Sequence, residues 1–172
     1  MRTIEWHSGT VLTIDQTRLP HSVVILEMRN YNEVAEAIIT MKIRGAPLLG
    51  VSAAFALALA AYHSKVKNRE KLIDELEKAA ETLRRTRPTA VNLFWAIDRI
   101  LGKARGFHGS AEDLAAFVVG EAQKIADEDV EANHLVGKYG AGLLHDGDVI
   151  LTHCNAGALA TVEYGTALGV VR

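Results

Sequence analysis

Residues 45–62, GAPLLGVSAAFALALAAY, have Ser52 as their only polar side chain apart from the final tyrosine. The stretch is nearly long enough to span a bilayer, which takes roughly 20 strongly apolar residues. Alanine and glycine dominate it, however, and it follows Arg44 directly and carries Pro47 in its first turn, where proline is tolerated. The pattern therefore predicts a buried helix, whose small side chains let neighbouring elements approach closely.

Helical periodicity also flanks this stretch on both sides. Apolar residues recur at three- and four-residue steps, and Ser110 with Asp113 three positions later has the spacing of an N-cap box. Further helices are predicted at 32–43, 69–86, 90–103, from 111 to 124 or beyond, and 127–144. Before them, the first thirty residues read as short strands joined by turns, with a break at Leu19-Pro20.

The character of the sequence changes after residue 146. Residues 149–152, VILT, form a short apolar run that leads through 153–157, HCNAG, into a stretch of small residues at 158–171. A strand, a glycine-containing loop and a helix are the opening unit of a doubly wound parallel sheet.

The predicted fold class is therefore α/β with two domains. Residues 1–146 form an N-terminal domain of short β-strands plus a helical bundle, and residues 147–172 begin a Rossmann-like parallel-sheet domain with its first strand and helix. Because the apolar pattern continues to Val171 without a C-cap signal, we expect the second domain to be barely begun.

Composition excludes several classes of protein. The 172 residues carry 19 Lys plus Arg against 21 Asp plus Glu, and half are hydrophobic, so disorder is a poor interpretation. The charge of −2 provides no overall attraction to nucleic acid or to an anionic membrane. The single cysteine cannot form an internal disulfide and no leader opens the chain, so we expect a cytoplasmic protein. Neither HExxH nor a paired-cysteine spacing occurs, and no metal or other cofactor is expected.

Three positions could carry chemistry. Cys154 follows the predicted strand, where ligands of open α/β sheets gather and where a helix N-terminus would stabilise a thiolate; the alternative is an ordinary buried cysteine. Arg44, beside Gly45 and Ala46, stands at the start of the buried helix, and Arg87 precedes another helix. Each could be a surface arginine beside a turn, but together they suit a small phosphorylated ligand.

Three segments resemble the signatures of the methylthioribose-1-phosphate isomerase family: 43–51 (IRGAPLLGV), 87–96 (RPTAVNLFWA) and 150–161 (ILTHCNAGALAT). The early Ile-Asp-Gln16 is similar as well. The resemblance implies an aldose–ketose isomerase of methionine salvage that works without a metal, with an N-terminal domain, a Rossmann-like C-terminal domain and a homodimeric assembly. It also implies that Arg44, Gly45 and Ala46 contact the substrate, that Arg87 binds it, and that Cys154 is the catalytic cysteine.

The sequence departs from that family in one respect. The family's catalytic aspartate and an Asn-Lys pair belong to a C-terminal half that these 172 residues do not contain, so we expect the chain to need that half and to be inactive alone. Two alternatives stay open. One is a related isomerase acting on ribose 1,5-bisphosphate or a 5-deoxypentose 1-phosphate, and the other is a non-enzymatic regulatory subunit of the initiation-factor-two exchange-factor type.

Overall fold

The computed structural model describes residues 2–172 as a mostly helical α/β fold with a small antiparallel sheet. The strands are β1 (Ile4–His7), β2 (Thr10–Ile14) and β3 (Ile25–Met28). The helices are α1 (Tyr31–Ile39), α2 (Ala46–His63), α3 (Arg69–Arg84), α4 (Val91–Gly106), α5 (Ala111–Ala141) and the one-turn α6 (Ala167–Val170).

The three strands form a simple meander in the order β1-β2-β3. Ile4 pairs with Thr13, and Val11 pairs with Met28. Ile4, Val11 and Met28 are all buried, because one face of the sheet packs on the helical bundle while the other faces solvent. The prediction of short N-terminal strands is confirmed, and Leu19-Pro20 lies in the connection between β2 and β3.

Helix α2 is the centre of the bundle, as the sequence predicts. It packs against α1, α3, α4 and α5, and Ala53, Ala56 and Ala58 are fully buried. By length and composition α2 could cross a membrane, but 72% of it is buried inside the fold. Alanine on every side of the helix lets four neighbours pack closely around it, which identifies α2 as a core helix.

The predicted helices at 69–86 and 90–103 are confirmed within two or three residues, as α3 and α4. The two helices predicted at 111–124 and 127–144 are instead one 31-residue helix, α5. Ser110 caps it in a full capping box with Asp113. No glycine or proline stands between Gln123 and Glu131, so nothing interrupts the backbone hydrogen bonds there.

The segment after α5 differs most from the prediction. Residues 149–152 do not form a strand, and Val149 and Leu151 are almost fully exposed. Residues 158–171 do not form one helix but a 3-10 turn at Ala158–Ala160 and the short α6. A parallel strand forms only against a neighbour, and within residues 2–172 the strands β1 to β3 pair only with one another.

Candidate functional site

The first turns of α2 and α4 lie side by side at one end of the bundle. A Cβ added at Gly50, in the first turns of α2, would lie 2.9 Å from the backbone oxygen of Asn92, the second residue of α4. Within residues 2–172, no side chain caps the N-terminus of either helix. Their first amides therefore remain able to donate to an anion.

Arg44 and Arg87 are carried by the loops that enter these two helices. Arg44 is exposed and Arg87 is half-buried in the turn between α3 and α4. The Arg87 Nη1 lies 2.8 Å from the Sδ of Met41, which belongs to the same loop as Arg44. The structure therefore brings both predicted arginines to one end of the bundle.

The segment that follows Cys154 is docked on the start of α2. Gly45 has φ +111°, and a Cβ there would lie 2.4 Å from the Cα of Ala160, so only glycine allows this approach. The buried Gln16 ties the two segments together, because its Nε2 donates to the carbonyl of Arg44 (3.3 Å) and to that of Leu159 (2.7 Å). Thr3 Oγ1 also donates to the carbonyl of Ala158 at 3.0 Å.

Cys154 is exposed, at the outer edge of this docked segment, and its backbone is left-handed with φ +67°. Two residues later, the carbonyl of the buried Ala156 accepts hydrogen bonds from the amides of Thr166 and Leu168. The loop is thus held firmly behind the thiol. The prediction of a long helix starting after Cys154 is wrong for the described residues, because only the 3-10 turn begins there. The structure therefore places no long helix N-terminus beside Cys154.

A half-buried carboxylate on α5 anchors the far side of the same segment. Asp129 accepts a hydrogen bond from the amide of Val162 (2.8 Å) at one oxygen and from the side-chain amide of Asn133 (3.1 Å) at the other. Burial raises the pKa of Asp129, although both hydrogen bonds oppose that shift. Thr3 completes the anchor, since its amide donates to the carbonyl of Val162 at 2.6 Å.

The sequence interpretation gave Asp129 and Gln16 no role in the site. Asp129 belongs to the acidic run 127–129, and such a run is typical of a solvated helix face, so the sequence did not single it out. The available signal was its position four residues after Ile125 and four before Asn133, both of which are buried, since this spacing places it on the inner face of a helix. Gln16 gave no comparable signal, because its partners are two distant backbone carbonyls.

Beside the starts of α2 and α4 a cleft of about 540 Å³ opens toward α5. It begins at Pro47 and Val91, three residues after Arg44 and four after Arg87, and it extends to Asp129. Among residues 2–172, no group of three His, Cys, Asp or Glu side chains is placed to hold a metal ion. The arrangement thus combines two arginines, free helix amides, a presented thiol and a neighbouring cleft.

Comparison with known proteins gives a consistent result. Residues 42–172 match the model of the initiation factor 2 subunit family. The methylthioribose-1-phosphate isomerase of Thermosipho melanesiensis is 48% identical over 170 residues, which is 99% of this chain and 49% of the relative. The chain thus spans about half the length of the curated relatives it matches.

Two solved structures share the fold. The 5-methylthioribose 1-phosphate isomerase of Pyrococcus horikoshii superposes with a TM-score of 0.92 at 49% identity, over 99% of this chain and 48% of that one. A protein from Archaeoglobus fulgidus, described as the delta subunit of translation initiation factor eIF-2B, gives a TM-score of 0.89 at 49% identity. That match covers all of this chain and 50% of the other.

Proposed function

The chain belongs to the initiation factor 2 subunit family, and we propose that it is the N-terminal half of an aldose–ketose isomerase acting on 5-methylthioribose 1-phosphate. The product is 5-methylthioribulose 1-phosphate, an intermediate of methionine salvage. Support comes from relatives of that name, whose sequences are 48–49% identical to this chain over 99% of its length.

The chemistry explains the residue types. The anomeric hydroxyl of the substrate is phosphorylated, so the sugar ring cannot open by simple hemiacetal exchange. An acid must assist cleavage of the ring bond, a proton or hydride must move between C2 and C1, and the phosphate must be held. Arg44, Arg87 and the first amides of α2 suit the phosphate. Cys154 either exchanges the proton or polarises a hydroxyl.

One observation carries the proposal more than any other: the docking of the cysteine segment on the start of α2. The contact between Gly45 and Ala160, with the two hydrogen bonds of Gln16, attaches the segment to the end of the bundle where both arginines lie. A pure scaffold has no need of a thiol and two arginines in this arrangement. We expect a phosphorylated sugar bound to the arginines to reach the thiol, which lies four to six residues before these contacts.

The thiol is tested in the full-length protein that contains residues 1–172, with turnover of methylthioribose 1-phosphate as the readout. Cys154→Ser should lower kcat by about 100-fold or more, the usual contribution of a group that transfers a proton. Unchanged activity would refute the role given to the thiol. The 172-residue chain by itself should show no turnover, because the resemblance assigns the catalytic aspartate to the other half.

Arg87 is tested against a matched neighbour. Arg87→Ala should raise KM for the sugar phosphate and lower kcat/KM by about tenfold or more, because a charge-assisted contact is lost. Arg85, two residues earlier, is 77% exposed and pairs with Glu81, so Arg85→Ala should leave the kinetics unchanged. Equal effects of the two replacements would contradict a specific role for Arg87.

The wider assembly follows from the same proposal. Residues 1–146 would belong to the N-terminal domain, and residues 147–172 would be the beginning of a Rossmann-like domain in which 149–152 pairs as a strand. We propose a cytoplasmic homodimer in which the C-terminal half closes over the end that carries Arg44 and Arg87. Hydrogen exchange would test the strand, since amides 149–152 should be protected in the full-length protein and unprotected in the 172-residue chain.

A second candidate function rests on the matched family and on the likeness to the eIF-2B delta subunit of Archaeoglobus fulgidus. It is a non-enzymatic subunit of a translation initiation exchange factor. This candidate predicts that the full-length protein does not isomerise the sugar phosphate. It also predicts that Cys154→Ser does not change the affinity of the protein for its binding partners. Measured turnover with a cysteine-dependent rate would exclude it.

A further inference from the structure

Gln16 lies between two parts of the candidate site that are far apart in sequence. It is 4% exposed, and its Nε2 donates to the carbonyls of Arg44 and Leu159. These two bonds use both hydrogens of the side-chain amide. Within residues 2–172, Gln16 is the one side chain that hydrogen-bonds both the loop carrying Arg44 and the segment after Cys154. It therefore links the part of the site with an arginine to the part with the thiol.

The loop that carries Arg44 is also held by contacts that do not need the side chain of Gln16. Ile43 is fully buried, and its amide donates to the carbonyl of Ala37 in α1 at 3.1 Å. The backbone amide of Gln16 donates to the carbonyl of Lys42 at 3.0 Å, and this bond remains when the side chain is replaced. Loss of the side-chain amide should therefore leave the loop and its arginine in place.

The segment on the other side of this link is folded back on itself. The carbonyl of Ala156 accepts from the amides of Thr166 and Leu168 at 2.9 and 3.2 Å. Leu159 lies inside the unit that these bonds close, and Cys154 precedes Ala156 by two residues. A shift at Leu159 would therefore displace the unit to which the thiol is attached.

We infer that Gln16 is a positioning residue of the isomerase, and that its side-chain amide sets the distance between the arginine that holds the phosphate and the thiol. The inference rests on the proposed function. Gln16 binds no substrate atom in this assignment, because both of its amide hydrogens are taken by carbonyls. Reacting groups must be closely aligned, and a misplacement of about 1 Å can cost about 100-fold in rate. Loss of the link should therefore lower kcat, while the arginines on the bundle maintain substrate affinity.

The test uses the full-length protein that contains residues 1–172 and measures kcat and KM for methylthioribose 1-phosphate. Gln16→Met removes the donor and keeps a side chain of similar length. Thr3→Val is the matched control, because Thr3 is 3% exposed and donates to the carbonyl of Ala158 at 3.0 Å, without a hydrogen bond to the Arg44 loop. Competitive inhibition by inorganic phosphate and the unfolding midpoint are measured for each variant in parallel.

We expect Gln16→Met to lower kcat by about tenfold or more. KM and the inhibition constant of phosphate should stay within about threefold of the unmodified protein, because binding to the arginines is retained. Thr3→Val loosens the same segment but keeps the link, so its kcat should fall by less than about threefold. A purely structural role for Gln16 would lower kcat only by the fraction of unfolded protein at the assay temperature. If Gln16→Met does not fold, Gln16→Glu takes its place, since a carboxylate has a similar shape and cannot donate.

Three results would overturn the inference while leaving an isomerase whose rate depends on Cys154. They are an unchanged kcat in the folded Gln16 variant, an equal loss of kcat in Thr3→Val, and a loss of activity that appears only as a raised KM. An unmodified protein that does not isomerise the sugar phosphate would overturn the proposed function and the inference together.

Discussion

Replacing Gly45 by alanine should separate the cysteine segment from the helical bundle. At φ +111° any residue with a Cβ is strained by about 1–3 kcal/mol. The added Cβ would also lie 2.4 Å from the Cα and 2.7 Å from the carbonyl oxygen of Ala160. Those atoms belong to the backbone, so relief requires movement of the whole segment, and overpacking of this kind costs about 1–3 kcal/mol more. We therefore expect a loss of about 2–6 kcal/mol.

Urea unfolding of the 172-residue chain, followed by circular dichroism, measures this loss. Gly102→Ala is the control, because Gly102 lies inside α4 with no neighbouring atom within 4 Å of an added Cβ. That replacement should stabilise the protein by about 0.5–1 kcal/mol through helix propensity alone. A loss below about 1 kcal/mol for Gly45→Ala would refute the close packing of Gly45 against Ala160.

The region that Gly45→Ala destabilises can be located by hydrogen exchange. If the segment moves away to relieve the overlap, Gln16 loses its bond to Leu159 and Thr3 loses its bond to Ala158. Amide exchange should then become faster around Ala160 in Gly45→Ala and stay unchanged in the interior of α3. Faster exchange spread evenly over the bundle would indicate general destabilisation and would contradict the local explanation.

Two other predictions concern the polar anchors, the buried Gln16 and the half-buried Asp129. Gln16→Glu should cost about 2–3 kcal/mol at pH 7, because a carboxylate would face two carbonyls that lose their donor; the loss should shrink in acid, where a protonated Glu can donate again. Asp129→Asn should also destabilise, because an amide NH2 group cannot accept and would face one of the two donors, Val162 or Asn133, whereas either oxygen of a protonated carboxyl still can. Burial raises the pKa of Asp129, so its favourable contribution is fully present below the unfolded value of about 3.9 and declines as the pH rises through the folded value. The deficit of Asp129→Asn should therefore be largest near pH 3–4 and smaller above the folded pKa, and a deficit that grows with pH in urea titrations would contradict this sign.

Local patterns in the sequence are sufficient for most of the bundle. In α3 the apolar residues Leu72, Leu76, Ala79 and Leu83 recur at helical spacing, and all are buried. The capping box at Ser110 marks the start of α5 to the residue. Such features depend on neighbours three or four positions away, so one sequence is enough to read them. The division of α5 into two helices failed for the opposite reason, because no local breaker supported it.

The candidate site shows where local patterns stop being informative. Arg44, Gly45 and Arg87 can be singled out because loops before helices have a recognisable composition. Gln16 and Asp129 cannot, since they act through the carbonyl of Leu159 and the amide of Val162, which are 143 and 33 residues away in sequence. The positive φ of Gly45 has meaning only once Ala160 is placed against it. Long-range contacts of this kind decide how the thiol is presented, and they are properties of the fold.

In residues 149–152 a local pattern predicts a strand that the structure does not contain. Its β-branched apolar residues have high strand propensity, yet Val149 and Leu151 are 99% and 96% exposed. Propensity selects a conformation only where packing or pairing supports it, and β1 to β3 are paired with one another. By contrast, the docked residues after Cys154 are ordered by contacts with Thr3, Gln16 and Gly45. The bundle therefore orders residues 158–160 through its own contacts, and under the proposed function we expect the C-terminal half to be required for residues 149–152 to pair as a strand.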